Sequence, residues 1–426
     1  MIDLNQLAQP LRTLDVTVGG AYSGRLLHEH GSYNFSYGAG DAAAVSLTMQ
    51  PFNRLSYNAG RLLPIFEMNI PEGYVRYHIS ERLRRYVSTI NDMLFLALQH
   101  ETGIGALSYK SALALPPAGP EKLEELLRWD HKESAFQYLL NKYLLQTSIS
   151  GVQPKVMVST ENRGTLLYPN LIAKTGDEEF PRLAENEFVC MSLARACGLP
   201  VADFWLSDNK ELFIMERFDI QQNTRLAMED FCVLSGRHAE HKYSGSYETG
   251  AKIVSLFTRD HAQIDRYWRY VLFSCMVGNG DAHLKNFALL YSDTTRQNPV
   301  LSPLYDVVNT QIYPSTDNQL ALKLNRQKAF PNRDTLLKFA RELKIVKPLQ
   351  VMEQFADILT DHLYSSELFQ GFPTLRQAIA QSLARCMATN NLFLTTDVND
   401  LKSVKRTDCC EHHARGATQL RARWNA

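Results

Sequence analysis

Asp281 and Asn286 stand five residues apart in the run Gly280-Asp281-Ala282-His283-Leu284-Lys285-Asn286. Phosphoryl transfer needs a carboxylate beside the attacking hydroxyl and one or two oxygen ligands for Mg²⁺, and protein kinases place their catalytic Asp five residues before a metal-binding Asn. A loop this short can aim both side chains into one cleft, with Leu284 or Phe287 as its anchor. The spacing alone also suits a turn closed by an Asx cap, and His283 and Lys285 in between weigh against that. Leu304-Tyr305-Asp306-Val307-Val308 follows, with Asp306 twenty residues after Asn286. Its apolar neighbours predict a carboxylate held rigidly at the end of a strand. Mg²⁺ binds through one or two carboxylates plus phosphate oxygens, so Asn286, Asp306 and two phosphates would serve.

Lys174 ends the apolar segment Leu171-Ile172-Ala173. A lysine on an apolar strand is rare unless it has a partner. The α- and β-phosphates of ATP are such a partner, with a helix carboxylate to position the amine. Glu187, on the first turn of the next predicted helix, is the candidate, and Glu185 is its nearest competitor. An edge-strand lysine snorkelling to water is the plainer alternative. Ser148-Ile149-Ser150-Gly151-Val152-Gln153-Pro154-Lys155 precedes the next strand. Its small residues let backbone N–H groups approach phosphates as an anion-binding nest, although it has neither a GxGxxG nor a Walker pattern. Phe213-Ile214-Met215-Glu216-Arg217-Phe218-Asp219 leaves the β-rich region. Its backbone could meet adenine and Phe218 could cover the ring. An ordinary strand end with an exposed ion pair fits the same residues.

These residues need elements to hold them. Leu14–Val18 reads as a strand before a Gly19–Gly20 turn, and Tyr74–Tyr86 and Asn91–Leu98 have helical periodicity. Leu115–Pro120 is a linker by its proline and glycine content. Glu121–Trp129 and Ser134–Leu145 read as helices. Val156–Val158, Leu171–Lys174, Val201–Leu206 and Leu212–Met215 read as strands, with a turn signal at Asn162–Gly164. Asn186–Cys197 reads as a helix stopped by Gly198 and Pro200. Ile264–Val277, Val351–Leu359 and Thr374–Met387 read as helices. A β-rich lobe of about 70 residues therefore precedes a helical lobe of about 175, joined near Met215–Phe218.

The 426 residues are too many for one core. Lys+Arg and Asp+Glu both number 45, so no net charge draws the chain toward nucleic acid or an anionic membrane. The seven cysteines are scattered through apolar segments, unlike a disulfide framework. The start, MIDLNQLAQPLR, lacks signal-peptide features, and no apolar run reaches the roughly 18 residues of a membrane helix. A cytoplasmic protein with reduced thiols is expected. The tail after Leu401 is locally basic and holds Cys409-Cys410-Glu411-His412-His413.

In this order, SISGVQPK, LIAK, NEFVCMSLARACGLPV, MERFD, GDAHLKN and LYDV resemble the HipA family of bacterial toxin kinases. Leu63-Pro64, Pro71-Glu72-Gly73 and Gly103-Ile104-Gly105-Ala106-Leu107 resemble that family's N-terminal subdomain. The resemblance covers most of the chain up to about residue 390 and does not extend to the Cys/His tail. It implies an α+β, two-lobed protein-kinase-like fold with a β-rich N-lobe, a helical C-lobe and an additional N-terminal α/β subdomain. The implied divisions are 1–112 for the subdomain, 113–145 for a linker and helices, 146–215 for the N-lobe, 216–395 for the C-lobe and 396–426 for the tail.

By position, the resemblance makes Asp281 the catalytic base, Asn286 and Asp306 the Mg²⁺ ligands, and Lys174 the phosphate-binding lysine paired with Glu187. Ser150, Gly151, Val152, Gln153, Pro154 and Lys155 become the phosphate loop, and Glu216, Arg217 and Phe218 the adenine hinge. His283, Lys285 and Tyr305 become further nucleotide contacts. It also implies autophosphorylation at the loop entrance. Ser148 lies there, and because HipT-type members carry Ser-Ile-Ser, Ser150 is a second candidate. The added charge of about −1.5 to −2 beside ATP-binding amides would lower activity. The implied cofactors are ATP and Mg²⁺. The implied substrate is a protein of the translation machinery, an aminoacyl-tRNA synthetase, whose phosphorylation arrests growth and underlies persistence. The implied partner is a HipB-like DNA-binding antitoxin, through which alone DNA is met, and no membrane is involved. A small-molecule or lipid kinase, or a non-catalytic antitoxin-binding scaffold, is the alternative.

Overall fold

All four residues of the strand Leu171–Lys174 are buried, and so are all four of Lys155–Val158. A strand covered on both faces loses the polar alternation of a half-exposed one, which is why these segments read as plain apolar runs. They pair antiparallel, Lys155 opposite Lys174, in a four-stranded sheet. Its order is Lys155–Val158, Leu171–Lys174, Phe213–Glu216, Phe204–Leu206. Side chains alternate between two cores. Val156, Val158, Leu171, Ala173 and Ile214 join one apolar cluster, shared with the N-terminal region. Met157, Ile172, Phe213 and Met215 join another, which runs through the helical lobe. In the computed structural model, residues 11–87, 89–99, 102–111, 113, 118–146, 153–160, 169–221, 224–292 and 298–389 are described.

The N-terminal region is built on a five-stranded antiparallel sheet in the order Ser56–Ala59, Ser32–Tyr37, Ala21–Glu29, Thr13–Val18, Leu107–Lys110. Helices Gly73–Leu83 and Asp92–Gln99 pack with it. The first strand and both helices match the sequence expectation within three residues. The strands Ala21–Glu29, Ser32–Tyr37 and Ser56–Ala59 were not expected, although Ser32–Tyr37 alternates polar and buried aromatic residues at strand period. Helices Leu123–Leu127 and Ala135–Tyr143 lead to the small sheet.

Helix Leu183–Ala196 lies on the sheet's second face and begins three residues before the predicted Asn186. Of the predicted strand Val201–Leu206, only Phe204–Leu206 is strand, and Val201 instead makes an isolated bridge to Leu304. The helical lobe centres on His261–Met276, whose start is capped by the Asp260 side chain on the Ala262 N–H. Around it pack Tyr247–Thr258, Arg333–Glu342, Pro348–Ser365 and Pro373–Met387. This lobe also carries a three-stranded antiparallel sheet, Ala227–Asp230, Ala288–Tyr291 and Val300–Leu301. The turn at 162–164 and the tail from 396 lie outside the described residues. The five described cysteines, at 190, 197, 232, 275 and 386, are buried free thiols. Among the described residues, no helix is long and apolar enough to cross a membrane.

Candidate active site

A cavity of about 570 Å³ opens between the small sheet and the helical lobe. Gln153, Pro154, Lys155, Lys174, Arg217, Phe218, Asp281, His283, Lys285, Asn286, Tyr305 and Asp306 all line it. Residues from five separate stretches of sequence therefore face one space. Glu216 is not among the lining residues; its N–H donates to the Asp203 carbonyl at 2.8 Å. Ser148, Ser150, Gly151 and Val152 lie outside the described residues.

Strand alternation turns Lys174 toward the helix Leu183–Ala196. Its ammonium lies 2.5 Å from Glu187 Oε1 and 2.7 Å from Asp306 Oδ1. Burial opposes the charge on Lys174, but Asp306 and Glu187 outweigh it and hold the ammonium above its ordinary value. Burial likewise opposes the Asp306 carboxylate, but Lys174 and Lys155 hold it well below the usual carboxylate range. Glu185 is engaged elsewhere, by Arg182 and Lys210 at 2.6 and 2.7 Å. Glu187 is thus the partner of Lys174.

The catalytic-type loop follows the central helix directly. Gly278 has φ +75°, and a Cβ there would meet Ser382 Oγ at 2.6 Å and Asn309 Nδ2 at 2.7 Å. Leu284 and Phe287 are both buried and anchor the loop. Asn286 Nδ2 donates to the Asp281 carbonyl at 2.8 Å, which leaves its amide oxygen available as a ligand. Asp306 Oδ2 accepts no hydrogen bond from any described residue. An amide oxygen and a free carboxylate oxygen in one cavity suit a hard cation that keeps phosphate and water ligands. Asp306 has φ +60°, a left-handed conformation costly for a non-glycine residue and characteristic of functional sites. The expected strand end lies earlier, at Leu301; Leu304, two residues before Asp306, is held by a bridge to Val201.

Burial, reinforced by the charge of Asp306, pushes the Asp281 carboxyl up to about 6. Tyr243 donates its hydroxyl to Asp281 Oδ1 at 2.9 Å. Burial, with Lys242 nearby, drives His283 down to about 3, so its imidazole is neutral at physiological pH. Phe218 and Tyr305 place their ring centroids 5.3 Å apart, and the Tyr305 hydroxyl donates to the Lys285 carbonyl at 2.7 Å.

Two expected nucleotide contacts have side chains committed to the protein. Arg217 donates to Asp219 and to the carbonyls of Thr102, Gly103 and Pro169. Lys285 lies 3.0 Å from Glu72 and 3.6 Å from Asp230. Both tie the cavity wall to neighbouring segments, and their charges are neutralised there. The sequence reading missed Lys242 and Tyr243, and also Met68 and Ile104, which the N-terminal region contributes to the same wall. Glu72 and Ile104 fall in segments that carry the family resemblance, a signal without a role attached.

An antiparallel sheet and its helix set over a helical lobe, with the cavity between, define a kinase-like α+β fold. The HipA-like C-terminal domain family matches residues 147–364, more than half of the chain, and the HipA N-terminal domain family matches residues 14–110. The chain belongs to the HipA family of serine/threonine kinase toxins. It is 26% identical over 315 residues to "Putative kinase Y4dM" of Sinorhizobium fredii, covering 68% of this chain and 72% of that protein. It is 24% identical over 255 residues to the serine/threonine-protein kinase toxin HipA of Shewanella oneidensis, covering 52% of this chain and 57% of that one. A solved structure of HipA from Shewanella oneidensis MR-1, with HipB and operator DNA, shares the fold with a TM-score of 0.65 at 20% identity, covering 88% and 96% of the two chains.

Proposed function

We propose that the chain is an ATP- and Mg²⁺-dependent serine/threonine kinase that acts as a growth-arresting toxin on a protein of the translation machinery, with an aminoacyl-tRNA synthetase as substrate class. The observation that carries the transfer reading is the triad in which Lys174 bridges Glu187 and Asp306, in the cavity that also holds Asp281. Lys174 and Lys155 neutralise nucleotide phosphates, and Glu187 fixes the Lys174 amine. Phe218 and Tyr305 flank the base at the hinge. Asp281, ionised at physiological pH and fixed by Tyr243, accepts the proton of the attacking hydroxyl. Asn286 and Asp306 would hold Mg²⁺, which supplies charge neutralisation between the phosphates.

Autophosphorylation at Ser148 or Ser150 as a brake, and repression by a HipB-like antitoxin, are part of this proposal. The first is supported by the position of those serines just before Gln153 and Lys155 at the cavity. The second is supported by the matched N-terminal domain. The divisions 1–112, 113–145, 146–215, 216–395 and 396–426 are likewise proposed, supported through residue 389 by the separate sheets on either side of them. The test is transfer from γ-labelled ATP in a cell extract, with mass spectrometry of labelled proteins. The reading expects label on a translation protein and on the kinase, lost in Asp281→Gln. Label on a lipid or metabolite alone would refute it.

A further inference from the structure

Transfer of a phosphoryl group spreads negative charge over its equatorial oxygens, and a cation aimed at them is worth more than one at the resting nucleotide. The cavity's cations are mostly spoken for. Lys174 is bridged by two carboxylates, Lys285 faces Glu72 and Asp230, and Arg217 is paired with Asp219. His283, two residues after Asp281, is neutral at physiological pH. Lys155 sits opposite Lys174 on the small sheet, and its charge is drawn to Asp306.

Lys242 is different. Its carbonyl accepts the N–H of Leu284 at 3.1 Å, so its backbone is clamped to the catalytic loop. The next residue, Tyr243, donates to Asp281 Oδ1 and sets its ring edge-on to His283 at 5.1 Å. Lys242 as a residue is only 8% exposed and lines the cavity with Asp281 and His283. No carboxylate among the described residues is within ion-pair distance of it; its ammonium lies 5.3 Å from the Tyr243 ring centroid. Its charge acts on Asp281 from beyond ion-pair distance, which leaves a buried ammonium without a contacting anion, an unfavourable state that an anion arriving with the substrate relieves.

Resting on the kinase reading above, we propose that Lys242 is a catalytic cation that binds the γ-phosphoryl group in transit, with Tyr243 as the positioning residue that fixes Asp281 beside it. The acceptor hydroxyl oxygen forms a bond to the γ-phosphorus, and the bond from that phosphorus to the β–γ bridging oxygen breaks. ADP departs with the electron pair, and the hydroxyl proton passes to the Asp281 carboxylate.

The test compares full-length wild type with Lys242→Ala and Lys242→Arg in calorimetric titrations with Mg-ADP, alone and with aluminium fluoride as a mimic of the group in transit. Melting curves check that each variant is folded. The proposal expects ADP affinity within about twofold of wild type in Lys242→Ala, and loss of at least about tenfold of the gain from aluminium fluoride, about 1.4 kcal/mol. Lys242→Arg should recover part of that gain. In single turnovers, Lys242→Ala should be slower by about 10²–10³-fold with little change in KM for ATP. An undiminished aluminium fluoride gain in Lys242→Ala overturns this proposal alone, and so does an equal loss of ADP and ADP–fluoride affinity. A wild type that binds neither overturns the nucleotide reading itself and this proposal with it.

Discussion

Lys285 of the catalytic loop is held 3.0 Å from Glu72, a residue of the N-terminal domain. Asp230, 3.6 Å away, is the second carboxylate on the same ammonium. Lys285 immediately precedes Asn286, so the N-terminal domain steadies the loop that carries two of the proposed site residues. Breaking a buried pair costs about 3–5 kcal/mol when the other charge is stranded. Asp230 remains, so Glu72→Gln should cost about 1–3 kcal/mol in urea denaturation. Lys285→Met added to Glu72→Gln should cost less than the sum of the single changes. Strict additivity would show that the two charges do not interact.

Glu187 and Glu185 are separated by a single residue, yet only Glu187 reaches Lys174. A buried charge-assisted bond is worth about 1.5–3 kcal/mol. Glu187→Gln should therefore reduce kcat/KM for ATP by roughly 10–100-fold. The partners of Glu185, Arg182 and Lys210, have 41% and 48% of their side chains exposed. Glu185→Gln should change kcat/KM by less than about threefold. Equal losses in the two variants would contradict this assignment.

The chemistry was legible where local pattern fixed it. Lys174 stands out because a strand buried on both faces leaves no solvated side for a lysine. Asp281 and Asn286 stand out because one short loop must hold both. Lys242 and Tyr243 were not legible: Arg237-His238-Ala239-Glu240-His241-Lys242-Tyr243 is polar and reads as a surface loop. Its place beside Asp281, 38 residues on from Tyr243, is set by tertiary packing. Arg217 misled in another way. Beside Asp219 it resembles an exposed ion pair, but its other acceptors are carbonyls about 50 and 115 residues away. The small sheet in the helical lobe was hidden because Ala288–Tyr291 is a short apolar run that suits helix and strand alike.

Asp281 makes stability depend on pH in a definite direction. An unfolded Asp titrates near 3.9, whereas the folded one titrates at about 6. The folded state binds this proton more tightly, so the contribution of Asp281 to stability is best at low pH and is lost as pH rises through about 4 to 6. Asp281→Asn keeps an oxygen for Tyr243 and carries no charge. In nucleotide- and metal-free protein, it should melt at a higher temperature than wild type above about pH 6, and the gap should close toward pH 4. A gap that widens on acidification would show that the carboxylate is favoured by its surroundings. The same substitution should abolish transfer, a stability–activity trade-off at one atom pair.

Gly280 tests how tightly the loop is seated. A Cβ at this position would lie 2.5 Å from the Gln319 carbonyl oxygen and 2.6 Å from Thr310 Oγ1. The Gly280 N–H already donates to Thr310 Oγ1 at 2.9 Å, so the two segments cannot separate without losing that bond. Gly280→Ala must push them apart, at a cost of about 1–3 kcal/mol for overpacking. Asp281 is the next residue, and a displacement near 1 Å at a reacting group lowers rate by about 10²-fold. Single-turnover transfer should therefore slow by about that factor while KM for ATP changes little, because Lys174 and the hinge belong to other elements. Thr310→Ala should not rescue it, since the Gln319 carbonyl is backbone and remains in the way. Gly60→Ala, where a Cβ meets nothing within 4 Å, is the control and should leave rate and melting temperature unchanged. Wild-type transfer by Gly280→Ala would mean that the loop has room the structure denies it.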